Sequence, residues 1–345
     1  MKIAFFDAKE YDKKYFDLIN NGRHEIVYFE ENLNITNVSK TKGFDAVCGF
    51  VNTYGDKYIL ELLAKNNVKV WLQRSMGYNK VDLAKAEELG INVFRVPNYS
   101  AESVAEFAAA LLMTLNRNIS KAIQRVRNYN FSLDNLDGKA IYGSTVGVIG
   151  SGKIGQCFIN IMKGMGAKIL VFDTFCEANN PNLAKEMGFE FVPFTKLIKE
   201  SDFISLHAPL LPSTKYIIDK DAVDLMKKGV IIINTARGEL IDIKAALYGL
   251  ENNIIRGLGC DVLDREEGRF YSDISKHAKE YEKIDPEWKE LISNENVIVT
   301  SHQAFLTDTA LTQIAKITLD NADMAQNGDF SKALKLLDNG KVLNG

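Results

Sequence analysis

In the second half of the chain an arginine, several carboxylates and a histidine stand directly after apolar runs. Asn234-Thr-Ala-Arg237-Gly follows one run, Asp261-Val-Leu-Asp264-Arg-Glu266 the next, and Ser301-His302-Gln-Ala-Phe305 the last; Ser205-Leu-His207-Ala-Pro209 follows an earlier one. A guanidinium is a planar fork of donors that can clamp a carboxylate. An imidazole with a carboxylate beside it stays protonated nearer neutral pH and can hand a proton to a reacting oxygen. Gathered in one cleft, these groups would suit proton transfer to a small acidic substrate. The bland alternative for Arg237 is a structural ion pair on a loop, which the wholly apolar run before it disfavours. His207 and His302 are the candidates for proton transfer. His302 gains weight from Phe305 and from the carboxylates available to keep it charged, whereas His24 and His277 lie in charged stretches and are expected to be exposed. Physics alone leaves the acid open among Asp261, Asp264, Glu266 and Glu267, since such a charge run is usually a solvated loop.

Those groups need a scaffold, and residues 144–173 supply its centre. Thr145–Ile149 is a short apolar run suited to a buried parallel strand. Gly150, Gly152 and Gly155 follow as G-x-G-x-x-G, then a helix-like segment, then an apolar run, Lys168–Phe172, ending at Asp173. The first glycine permits a tight turn, the second lets the backbone approach a pyrophosphate, and the third lets helix pack on strand. The helix N-terminus offers free N–H groups to phosphate. Asp173 stands where an acid accepts the ribose hydroxyls, and no Arg or Lys occurs in residues 174–180. NADP would therefore meet a negative charge without a counter-ion, and NAD is expected. The glycine spacing alone could be a turn of another α/β protein, such as a methyltransferase; strands, helix and acid in register favour the dinucleotide.

Around this centre the strand–helix rhythm runs nearly end to end. Strands are expected at 2–6, 25–29, 45–50, 69–73 and 92–96, with helices at 58–66 and 82–90. This makes a parallel α/β unit ahead of the glycine motif, with substrate binding its natural role. Ser100 can cap a long helix over 101–127 whose stretch 105–115 is apolar nearly all round, suiting burial between domains or subunits. Later strands are expected at 189–192, 203–206, 230–234, 255–261 and 297–300. Residues 265–291 read as a surface excursion of no clear period, and 308–323 as a helix returning to the first domain. The expected division is 1–99 with 301–345 as substrate domain and 100–300 as dinucleotide domain.

A chain of 345 residues has room for about two domains. A net charge of −3 gives no reason to expect nucleic acid or an anionic membrane as partner. Four scattered cysteines without a C-x-x-C pair suit reduced thiols in the cytoplasm, with no disulfide or metal. Asp7 interrupts any signal-peptide core, and no apolar run is long enough for a bilayer.

The segments RSMGYNKVDL, VAEFAAALLMTLNR, YGSTVGVIGSGKIG, SDFISLHAPL, INTARGELID, GCDVLDREE and SHQAFLT, in that order, resemble the NAD-dependent D-2-hydroxyacid dehydrogenases, most closely the bacterial fermentative D-lactate dehydrogenases. The resemblance implies two doubly wound parallel-sheet domains, a Rossmann nucleotide domain inserted into a flavodoxin-like substrate domain. It implies Arg237, Glu266 and His302 as the catalytic set. It places Lys153, Ile154, Asp173, His207, Ala208, Pro209, Thr214, Thr235, Ala236 and Asp261 at the cofactor beside the three glycines, with Asp261 at the nicotinamide carboxamide. It places the Met76–Gly77 backbone and Arg237 on the substrate carboxylate, and Phe50, Tyr99 and Phe305 around the pocket. The chain departs from the family with Leu263-Asp264 for its common Tyr-Glu and with Ser301 for its Pro.

The activity so implied is NADH-dependent reduction of a small 2-oxo acid to the D-2-hydroxy acid, pyruvate to D-lactate first among them, by a homodimer or higher homo-oligomer. A bulkier 2-oxo acid (2-oxoisocaproate, 2-oxoglutarate or hydroxypyruvate) is the nearest alternative. An NAD-sensing scaffold is the alternative from another class, and the full Arg–Glu–His set argues against it, because a sensor needs no proton donor.

Overall fold

Short parallel strands with buried faces dominate the chain, and they sort into two sheets. The computed structural model describes residues 1–328 together with 335 and 336. Two compact units result, residues 1–100 with the described residues among 306–336, and residues 101–305. The segment 301–305, expected with the first domain, lies in the second unit, because three of its backbone N–H groups bond to Asp261. Within the stretch 301–345 expected in the first domain, residues 329–334 and 337–345 lie outside the described residues.

The first unit holds β1 (Lys2–Phe5), β2 (Glu25–Tyr28), β3 (Ala46–Gly49), β4 (Val70–Gln73) and β5 (Asn92–Arg95), all parallel in the order β2-β1-β3-β4-β5. This is the flavodoxin-like order. The inner strands β3 and β4 are fully buried, as parallel strands covered on both faces are. The C-terminal helix, Asp308–Asn327, packs on the helix Glu10–Asn20 of the same unit.

The second unit holds β6 (Thr145–Ile149), β7 (Lys168–Phe172), β8 (Glu190–Phe191), β9 (Phe203–Leu206), β10 (Val230–Asn234), β11 (Ile255–Cys260) and β12 (Val297–Val299). Their order is β12-β11-β10-β9-β6-β7-β8, again all parallel. From β6 the chain proceeds outward to β8, then returns to lay β9 against the other side of β6. The order reverses there, so the loops after β6 and β9 part and leave a crevice at the carboxyl edge. Separate apolar clusters fill the two faces, one including Leu197, Val223 and Leu247, the other including Leu112, Phe158 and Met162.

Two expectations are corrected. The helix expected over 101–127 is two helices, Ala101–Asn116 and Ile119–Arg127, broken where Asn118 takes a left-handed backbone. The first packs into the core of the second unit; the second has no buried residue. Residues 265–291 are not a bare excursion. They include the helix Ala278–Ile284 and enter Pro286–Ser293, and Phe270, Trp288 and Leu291 join the core.

Among the described residues no helix is long and apolar enough to cross a membrane, and no group of His, Cys, Asp or Glu is placed to hold a metal ion.

Candidate active site

Strands β10, β11 and β12 lie side by side, so their carboxyl ends bring three loops to one edge. The loop after β11 turns at Arg265, in the left-handed region at φ 64°, and carries Glu266. The loop after β12 carries His302, also left-handed at φ 56°. Glu266 Oε1 lies 2.9 Å from His302 Nδ1. Both side chains are partly exposed, so the other ring nitrogen can face a reactant.

Asp261 underpins the arrangement. It is fully buried, its Oδ1 accepts from Thr300 Oγ1 at 2.5 Å and Gln303 N at 2.9 Å, and its Oδ2 accepts from Ala304 N at 2.8 Å. Its own carbonyl accepts from His302 N at 2.8 Å. Burial raises its pKa above the ordinary carboxylate value, against the opposing pull of Thr300, Gln303, Ala304 and His302. Expected at the nicotinamide carboxamide, Asp261 commits both oxygens to the His302 loop.

Arg237 stands at the end of the all-buried β10 and is exposed. Asn234 shapes its loop: the amide donates to the Arg237 carbonyl at 2.8 Å and accepts from Ala236 N at 3.0 Å. The guanidinium bonds the adjacent Ala236 carbonyl at 2.6 Å. It is not paired with Glu266 or His302.

At the switch point, Gly150 has φ +97°, and a Cβ there would meet the backbone of His207 and Ala208 within 2.8 Å. A Cβ on Gly155 would come within 2.2 Å of the Gly150 carbonyl. Gly152 faces open space, and the helix Lys153–Gly164 begins beside it with Lys153 exposed and Ile154 half-buried. Asp173 Oδ2 accepts from Ser151 N and Ser151 Oγ, joining the acid to the glycine loop. His207 Nε2 pairs with Ser205 Oγ at 2.9 Å, and its buried Nδ1 has no partner among the described residues. Burial pushes its pKa down to about 3, so this imidazole is neutral and unsuited to donate a proton at physiological pH. Thr214 Oγ1 donates to the Pro209 carbonyl, beside the buried Ala208. Thr235, next to the half-buried Ala236, has a buried hydroxyl without a partner among the described residues.

In the first unit, Arg95 donates to the Met76 carbonyl at 3.0 Å, while Gln73 Nε2 and Ser75 Oγ donate to that of Gly77 at 3.1 and 2.8 Å. The turn's carbonyls are thereby held, and the N–H groups of Met76 and Gly77 bond no backbone acceptor among the described residues. Phe50 is buried with its ring over Arg74, and Tyr99 is half-buried. Phe305, buried, belongs to the second unit. His24, expected to be exposed, is instead buried between the N-terminal amine and Asp323.

Residues 109–304 match the family model described as D-isomer specific 2-hydroxyacid dehydrogenase, NAD binding domain. The D-lactate dehydrogenase of Escherichia coli K12 is 43% identical over 330 residues, covering 95% of this chain and 98% of that one. The chain belongs to the D-isomer specific 2-hydroxyacid dehydrogenases. A solved structure identified as the pyruvate reductase of Chlamydomonas reinhardtii is similar at TM-score 0.90 and 37% identity, covering 95% of this chain and 97% of that one. The D-lactate dehydrogenase of Lactobacillus jensenii, solved with NAD+, is similar at TM-score 0.80 and 33% identity, covering 95% and 98%.

Membership makes this an NAD-dependent oxidoreductase and its second unit the family's NAD-binding domain. The chain's own residues fit that cofactor: open space beside Gly152, a helix N-terminus at Lys153, an acid tied to the glycine loop, and orphaned buried atoms on His207 and Thr235. Sequence reasoning missed the supporting roles of Asn234 and Thr300, of Tyr216, whose hydroxyl donates to Asp264 Oδ2 at 2.8 Å, and of Trp288, whose indole N–H donates to the Asp264 carbonyl at 2.9 Å. A usable signal existed for Asn234: an amide ending a fully apolar strand is buried and must find partners.

Proposed function

We propose that this dehydrogenase reduces pyruvate to D-lactate with NADH. The observation that carries the reading is the His302–Glu266 contact of 2.9 Å within the family's NAD-binding domain. Arg237 would take the substrate carboxylate, joined by the Met76 and Gly77 N–H groups. His302, hydrogen-bonded to Glu266, would give its proton to the carbonyl oxygen. Bound NADH supplies the hydride. With acid and reductant acting on adjacent atoms, little alkoxide charge would accumulate, and orientation would provide much of the rate gain. Phe50, Tyr99 and Phe305 would wall the side-chain pocket. Gly150 to Gly155, Asp173, His207, Ala208, Pro209, Thr214, Thr235, Ala236 and Asp261 would hold the cofactor, with Asp261 also supporting the His302 loop.

The names of the relatives favour pyruvate, since D-lactate dehydrogenases and a pyruvate reductase stand among them. The test is kcat/KM over a panel of 2-oxo acids with NADH, with chiral analysis of the product. Pyruvate should lead, giving the D isomer. A lead for 2-oxoisocaproate, 2-oxoglutarate or hydroxypyruvate would replace the substrate. No NADH oxidation with any of them would favour an NAD sensor.

The same proposal places the enzyme in the cytoplasm as a homodimer or higher homo-oligomer. Four free thiols, two of them buried, suit a reducing compartment. An exposed helix with one apolar face, Ile119–Arg127, suits self-association.

A further inference from the structure

Glu266 sits on a stretch with little regular structure. Arg265 and Gly268 are both left-handed, and Glu266 lends its carbonyl to the N–H groups of Arg269 and Phe270. Such a segment needs outside support to hold a carboxylate within hydrogen-bond reach of an imidazole. A shift of about 1 Å would take a 2.9 Å contact beyond bonding distance.

The support comes from the segment that follows. Trp288 Nε1 donates to the Asp264 carbonyl at 2.9 Å, two residues before Glu266. Asp285, buried, binds Arg265 at 3.2 Å through one oxygen and Arg269 at 3.0 Å through the other. One carboxylate thus ties down the chain on both sides of Glu266. Asp285 also accepts from Trp288 N, capping the helix Pro286–Ser293, and the Arg269 guanidinium lies 4.4 Å from the Trp288 ring. Gly238 also abuts the Leu263–Asp264 peptide, so closely that a Cβ would fall within 1.9 Å of it.

We propose that Trp288 and Asp285 are positioning residues of the proton donor, holding Glu266 against His302. The inference rests on the roles given above to Glu266 and His302. Residues 265–291 thereby serve as a brace for the catalytic carboxylate. The charged and titratable groups near the pair are Asp261 under the His302 loop, Asp264, Arg265, Glu267 and Arg269 along the segment, and Tyr271 against the imidazole. Variants are therefore read against wild type.

The experiment compares Trp288→Phe, Glu266→Gln and the double variant in pyruvate reduction, following kcat/KM against pH, with NADH binding measured separately by its fluorescence. Trp288→Phe keeps a ring in the core and removes the donor. Its alkaline limb should move to lower pH, in the direction of Glu266→Gln, and turnover at pH 7.5 should fall by about tenfold, within the cost of small misplacements. NADH affinity should stay within about twofold, because the cofactor contacts lie elsewhere. The double variant should lose little beyond Glu266→Gln, as expected if one residue acts through the other. A wild-type profile in Trp288→Phe, or full additivity in the double variant, overturns the inference. An unmoved profile in Glu266→Gln overturns the parent reading as well. If Trp288→Phe does not fold, Asp285→Asn, which keeps an oxygen to cap the helix, is read by the same criteria.

Discussion

His302 combines two properties that are hard to have together: a left-handed backbone, which a histidine adopts at some cost, and a side chain that must aim accurately. Asp261 reconciles them by bonding the peptide N–H groups on the C-terminal side of His302 while its carbonyl takes the His302 N–H. His302→Gln should keep this backbone, bind NADH normally and lower turnover by about two to four decades, the range for a general acid. Single-turnover kinetics with a parallel binding measurement would check it, and near-normal turnover would remove His302 from the role. Asp173 invites a separate test. Its carboxylate already accepts from Ser151 and Cys176, and residues 174–180 offer no cation to a 2′-phosphate. Asp173→Ala removes both the acceptor and the repelling charge. The NADH over NADPH preference in kcat/KM should fall by about tenfold or more, the worth of one charged hydrogen bond. A wild type that already prefers NADPH would sink the ribose assignment.

The individual elements differ in how far they could be read from sequence. The β6–helix–β7 centre was legible because each glycine answers to a distinct steric demand, and a Cβ at Gly155 would strike the Gly150 carbonyl at 2.2 Å. Strands of the sheet interior were legible because burial on both faces leaves unbroken apolar runs. The break between Asn116 and Ile119 was not, since no Gly or Pro marks it and the turn rests on Asn118 alone. The helices Ala278–Ile284 and Pro286–Ser293 were hidden for another reason: seven or eight residues complete barely two turns, too few for a period to show. The loop after β9 carries a consequence for stability. His207 has its folded pKa lowered to about 3 by burial, against about 6.5 in the unfolded chain. Between those values only the unfolded state binds the proton, so stability is full above pH 6.5 and declines as pH falls towards 3. The loss at pH 5.5 should be on the order of 1 kcal/mol. Urea midpoints between pH 7.5 and 5.5 should therefore fall less steeply in His207→Gln than in wild type. Parallel slopes would show that another group carries the acid sensitivity.

At the scale of the whole molecule, the helix Ile119–Arg127 and the segment after it are the least explained by the single chain. Ile119, Ile123 and Val126 lie at spacings of four and three, on one helical face, and all three are exposed. Tyr129, Phe131 and Leu133 continue the patch at 88%, 69% and 81% exposure. A nine-residue helix gains most of its stability from packing an apolar face, and this one packs none of its residues into the core. The apolar stretch 105–115, read from sequence as buried between domains or subunits, instead packs into the core of the second unit. We place the proposed self-association surface on residues 119–133, where a two-fold contact would set the same patch of each copy against the other. Replacing Ile123 and Val126 together with glutamate puts two charges on that face without touching a buried residue. Light scattering coupled to size exclusion should show wild type as a dimer or larger and the double variant as a monomer, with unchanged far-ultraviolet circular dichroism. A wild type that elutes as a monomer at micromolar concentration, or a variant that keeps the full assembly, would show that these side chains do not hold copies together.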